Sequence, residues 1–121
     1  MYTDDVYREA FHFLDQHAIE LAQILDALES PFEEERDEAI NDFRDYPMGL
    51  TWWNSNVYRI YLSGGVAAEH LDLHIDRELN PMKLLYHLEL LGGSADLVVD
   101  FESPVYLYAV MLLDAFGDTT Y

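Results

Sequence analysis

Cysteine is absent from the chain and lysine occurs once, at Lys83. Without cysteine, neither a disulfide framework nor thiolate metal ligation is available. Basic residues are scarce altogether: six Lys and Arg stand against 24 Asp and Glu, a formal net charge of −18. Proteins that bind duplexes neutralise several phosphates with Lys or Arg, so direct nucleic-acid binding is disfavoured. The same field repels anionic membranes. No apolar run approaches the ~20 residues of a membrane helix. The opening MYTDDVYREA lacks the basic and apolar regions of a signal peptide, so a cytoplasmic location is expected.

Catalytic signatures are also missing. No GxxxxGK[ST] loop is present, and Ser63, Ser94 and Ser103 sit in no G-x-S-x-G elbow. SGG at 63–65 and GGS at 92–94 read as turns. Carboxylate pairs are so abundant that no single pair selects an acid–base site. The expectation is a non-enzymatic protein without a cofactor.

What is present is a folding globule. Half of the 121 residues are hydrophobic and 14% are aromatic, enough for one modest core in a single domain, 1–121. Residues 3–28 predict an amphipathic helix capped by Thr3 or Asp4, with Tyr7, Phe11, Leu14, Ala18, Leu21, Leu25 and Leu28 on its inner stripe. Ser30, Pro31 and Glu33 predict a capping box opening a second helix that Tyr46-Pro47 ends. Phe32, Ala39, Ile40 and Phe43 form its narrow apolar side. The period then changes to two, predicting strands over 48–53, 57–63, 67–76, 82–91 and 95–101. Ser103-Pro104 starts a last helix that Gly117 stops, with Tyr106, Ala109, Val110, Leu113 and Phe116 inward. The expected class is α+β: two N-terminal helices, an antiparallel sheet of four to five strands, and a C-terminal helix packed on it.

Two stretches can carry function. EHLDLHID, residues 69–76, sets His70, Asp72, His74 and Asp76 at alternate positions. On a strand such neighbours lie ~6.5 to 7 Å apart, so His70 with Asp72, or Asp72 with His74, can share a metal. His87 on the next strand can join them, whereas His70 and His74 stand about 13 Å apart. Read as a helix, the stretch lacks the glutamate of HExxH. A solvated strand face is the simpler account. The second stretch is the helix bearing Glu33, Glu34, Asp37, Glu38, Asp42 and Asp45. Its carboxylates rise ~1.5 Å per residue, close to the ~1.7 Å spacing of phosphate charge along a duplex axis. Asp72 and Asp76, with Asp96 and Asp100, add further rows. At Trp52-Trp53 alternation turns one indole inward and leaves Trp53 as a candidate interface anchor.

PFEEERDEAINDFRDYP and AEHLDLHID, in a small chain without catalytic motif, resemble the acidic inhibitors carried by phages and mobile elements, the anti-CRISPR and anti-restriction nucleic-acid mimics. YRIYLSGGVAAEHLDLHID is similar to segments of short phage and mobile-element proteins. The resemblance implies an inhibitor, acting in the host cytoplasm if phage-encoded. Its partner would be a basic nucleic-acid-binding protein, a CRISPR effector complex or a nuclease. The partner-binding set is Glu33, Glu34, Asp37, Glu38, Asp42, Asp45, Trp53, Asp72 and Asp76, on a monomer or a homodimer. Alternatives are an immunity protein or antitoxin for a basic nuclease toxin, a domain adapted to high salt, and a metal-dependent enzyme using His70, Asp72, His74 and His87.

Overall fold

The computed structural model describes residues 3–120, with side chains from residue 5 onward. The expected cap at Thr3 or Asp4 therefore lies outside the described side chains. Helix α1 spans Thr3–Leu28 and α2 spans Glu33–Asp45. Five strands follow, β1 Gly49–Asn54, β2 Val57–Ser63, β3 Ala68–Ile75, β4 Pro81–Leu90 and β5 Gly93–Val99, then helix α3, Pro104–Phe116. The strands pair in chain order as an antiparallel meander, which their short connections require. The chain is α+β as expected, with two helices before the sheet and one after it.

Alternation sorts each strand into two faces. Tyr58 and Ile60 of β2, Leu71, Leu73 and Ile75 of β3, Leu84, Tyr86 and Leu88 of β4, and Ala95, Leu97 and Val99 of β5 form the buried sheet face. Over it lie Val6, Ala10 and Leu21 of α1 and Val105, Tyr108, Ala109 and Leu112 of α3. Helix α2 rides on α1 and α3 instead. Its buried Ala39 is joined by Phe43, whose ring meets Tyr108 edge-on at 5.0 Å and whose carbonyl accepts from the Tyr108 hydroxyl. No helix among the described residues is long and apolar enough to cross a membrane.

Three local expectations need correction. In the first half of α1 the inner stripe is Val6, Ala10 and Phe13, not Tyr7 and Phe11, which are 37% and 58% exposed. A bulky aromatic at either site draws the pattern one residue off, while the small Ala10 marks where α1 approaches the sheet. Helix α2 has no capping box: its N-cap is Phe32, without a side-chain bond, and Ser30 accepts from the Phe32 amide while donating to Glu35. Glu33 is not the reciprocal partner. Phe32 and Ile40 are exposed, leaving Ala39 and Phe43 as the apolar side of α2. The Ser103 cap forms as expected, its hydroxyl accepting from the Val105 amide at 3.2 Å.

The β3–β4 turn stores strain. Leu79 has a φ of 67°, a left-handed conformation that costs a residue with a branched side chain about 1 kcal/mol or more. Asp76 holds the turn, accepting from the amides of Glu78 and Asn80 and from the Asn80 side chain. Leu79 is exposed, so little packing offsets the cost. Leu79→Asn, a residue that tolerates this conformation, is expected to raise stability by ~0.5 to 1 kcal/mol in urea unfolding. A loss of stability would show that Leu79 has a packing role.

Candidate functional site

The charge is unevenly spread. Residues 3–46 hold 14 of the 24 acids but three of the six bases, a net −11. Helix α2 alone opens on Glu33, Glu34 and Glu35, which suits the positive end of its dipole. Glu33, Glu34, Asp37, Glu38, Asp42 and Asp45 are all exposed, as a row about 18 Å long. Arg44 reaches Asp45 at 3.5 Å, while Arg36 donates to the Ser30 carbonyl rather than to a carboxylate. Glu33, Glu34, Asp37, Glu38 and Asp42 make no ion pair among the described residues.

Between α1 and α2 runs an open groove of about 480 Å3. Apolar Ile24, Ala27 and Ala39 line it together with the carboxylates of Glu20, Glu35, Glu38, Asp42 and Asp45 and with Tyr46. Small residues on both helices create the groove: alanines at 27 and 39 leave room that larger side chains would fill. An apolar lining beside carboxylates suits a side chain with an aliphatic stem and a cationic head.

The other expected residues lie on the uncovered sheet face. Trp52 turns inward, its ring tilted against that of Tyr58 at 5.0 Å and its indole N–H donating to the Gly117 carbonyl, while Trp53 is 59% exposed. The Arg59 guanidinium sits 3.9 Å over the Trp53 ring and grips Asp72 with two bonds of 2.7 and 2.9 Å. Asp72 is thus engaged within the protein, as is Asp76 in its turn. His70, His74 and His87 do share this face, and His70 lies opposite His87, their rings stacked at 4.7 Å. Each imidazole has a carboxylate beside it: His87 bonds Asp96 at 2.7 Å and His70 approaches Asp72 at 3.5 Å. His74 lies opposite Lys83. Among the described residues no three His, Asp or Glu gather as metal ligands.

The sequence reading missed a buried polar cluster on the covered face. Among the described residues Glu69 is the buried charged one, and it accepts from the Tyr86 hydroxyl, from Ser63 Oγ at 2.7 Å and from His17 Nε2 at 2.7 Å. His17 Nδ1 meets the Tyr46 hydroxyl at 2.6 Å, and that hydroxyl reaches Glu20 at 3.4 Å. Burial alone would push Glu69 up, but the bonds from His17, Tyr86 and Ser63 hold it below the usual carboxylate range. Burial pushes Tyr86 and Tyr46 well above an ordinary tyrosine, and Glu69 and Glu20 beside them add to the effect. The signal was present: Glu69 occupies the same inward phase as Leu71, Leu73 and Ile75, where a charge requires partners.

Comparison with protein-family models, curated protein sequences and solved structures gives no match.

Proposed function

We propose that the protein is a non-enzymatic inhibitor that docks, through its acidic helical layer, in the cleft of a basic nucleic-acid-handling protein. A CRISPR effector complex is the leading target, and the carboxylates of α2 stand in for a phosphate backbone. The observation that carries this reading is the exposed, largely unpaired row from Glu33 to Asp45. Retaining it costs self-repulsion in a chain of net charge −18. Glu34 and Asp37 lie outside the α1–α2 groove, while Glu38, Asp42 and Asp45 line it, so a partner can lie along the helix and send a cationic side chain into the groove. Asp72 and Asp76 belong to a different surface and serve the fold; Trp53 is a separate contact point on the sheet face.

The test is competition for labelled target DNA between purified effector complexes and this protein at two salt concentrations. Inhibition should weaken steeply at high salt, because exposed charges are screened beyond about 8 to 10 Å. Changing Glu34, Asp37 and Glu38 together to lysine is expected to raise the apparent Kd at least about 100-fold with the circular dichroism unchanged. Full inhibition by that folded variant would remove α2 as the mimic. Failure to displace DNA from any complex, with capture of a basic nuclease instead, would turn the reading to an immunity protein.

A further inference from the structure

The groove and the core share one side chain. Tyr46 lines the groove, and its hydroxyl is also the partner of His17 Nδ1. The His17 side chain is 15% exposed and that of Glu69 7%, so the chain Glu20, Tyr46, His17, Glu69 runs from the groove into the interior. We infer that this chain is a proton relay that couples the groove to the core: docking of a cation beside Glu20 drives a proton off His17. The inference rests on the docking reading above.

Counting protons leaves one variable. Glu69 stays anionic and fills its oxygens with donors from Tyr86, Ser63 and His17 Nε2. Tyr46, Tyr86 and Tyr108 are all pushed upward, so their hydroxyl protons stay on. The free choice is whether His17 Nδ1 carries a proton. Without one it accepts from the Tyr46 hydroxyl. With one it donates to the Tyr46 oxygen, and the hydroxyl proton turns outward to Glu20. A cation seated on Glu20 competes for that acceptor and repels the imidazolium behind it, so it favours the neutral ring.

The surroundings of His17 add no competing cation. It faces Tyr46 at the end of α2, Glu69 on β3 and the Tyr86 ring of β4 at 6.1 Å, with Ser63 of β2 one bond further. Tyr108 of α3 stands edge-on to Tyr46 at 5.7 Å. No Lys or Arg pairs with any of these among the described residues. By linkage, proton release on docking and tighter docking at higher pH are one free energy.

The ring resonances of His17 report the relay by NMR, with His12, His70 and His87 as internal references. At one fixed pH, Glu20→Gln is expected to move the His17 ring nitrogen shifts toward those of the neutral ring, because the outward acceptor of the Tyr46 hydroxyl loses its charge. Tyr46→Phe should remove the part of that response carried by the hydroxyl, leaving only the through-space effect of the Glu20 charge, while the fold persists. A nona-arginine peptide, titrated calorimetrically in two buffers of different ionisation enthalpy, should release a fraction of one proton. Its affinity should rise with pH, the counterpart of that release. His17 ring shifts indifferent to Glu20→Gln overturn the relay whatever the peptide does. A peptide that binds without proton release overturns the coupling. A peptide that does not bind at low salt removes the docking reading, and this inference with it.

Discussion

Replacing Glu69 with alanine is expected to cost ~3 to 5 kcal/mol, the loss found when one partner of a buried ionic network is removed. Three donors would lose their acceptor at once: the Tyr86 hydroxyl, Ser63 Oγ and His17 Nε2. Tyr86 is fully buried and the Glu69 side chain is 7% exposed, so water reaches the carboxylate's place with difficulty, although Ser63 and His17 are only half-buried. The truncation also leaves a void beside Leu71 and Leu88. Against a total stability of roughly 5 to 15 kcal/mol, this is a large share. The melting temperature should fall by about 10 to 20 °C for a domain of this size. Glu69→Gln keeps an acceptor and should lose much less. A deficit below about 1 kcal/mol for the alanine variant would mean that water enters the cluster freely.

Acid should unfold the protein through two carboxylates. Glu69 is held below its usual range as described, and Asp72 is held well below by His70 and Arg59, which outweigh the opposing effect of burial. In the unfolded chain both take up protons near the ordinary value of about 4. The sign follows: below that value the unfolded state binds more protons, so stability present above it is lost as pH falls through the lower folded values. Self-repulsion runs the other way, because the net charge shrinks as pH approaches the isoelectric point of about 4.2. The two slopes place the stability maximum near weakly acid pH, with a collapse beneath it. Urea midpoints measured from about pH 7 to about pH 3 read both limbs. Asp72→Asn should flatten the acid limb by on the order of 2 kcal/mol, discounted for the solvent that still reaches the sheet face. An acid limb unchanged in that variant would assign the lability to Glu69.

Periodicity made the fold legible. The change from a period near 3.6 to one of two located the sheet, and turn residues such as Gly64-Gly65 and Gly92-Gly93 set its meander. Ser103-Pro104 read correctly because its cap is local. Ser30-Pro31 carried the same letters, but the chain uses Pro31 and Phe32 as lead-in and starts the helix at Glu33. A capping signal gives a region and not a register. The acidic row on α2 was legible because so many carboxylates on one short helix cannot all find buried partners. The partners of Asp72 and Glu69 were not, since Arg59 and His17 are brought to them by strand pairing and helix docking. EHLDLHID answers to two environments at once: its even positions share the uncovered face with His87, while Glu69 turns the other way into the core.

The order of the strands also has a kinetic meaning. Each strand pairs with its neighbour in sequence across a connection of a few residues, so the sheet can assemble hairpin by hairpin with little loop-closure entropy at each step. The contacts that span most of the chain are those of α1, which packs on β5 and α3 from the other end. Closure over such a span costs only about 0.6 kcal/mol more per doubling of length, so it is no barrier once the hairpins exist. The greater sequence separation places that step after the hairpins. Until α1 arrives, Glu69 has no His17, and its carboxylate stays solvated while the sheet forms around it.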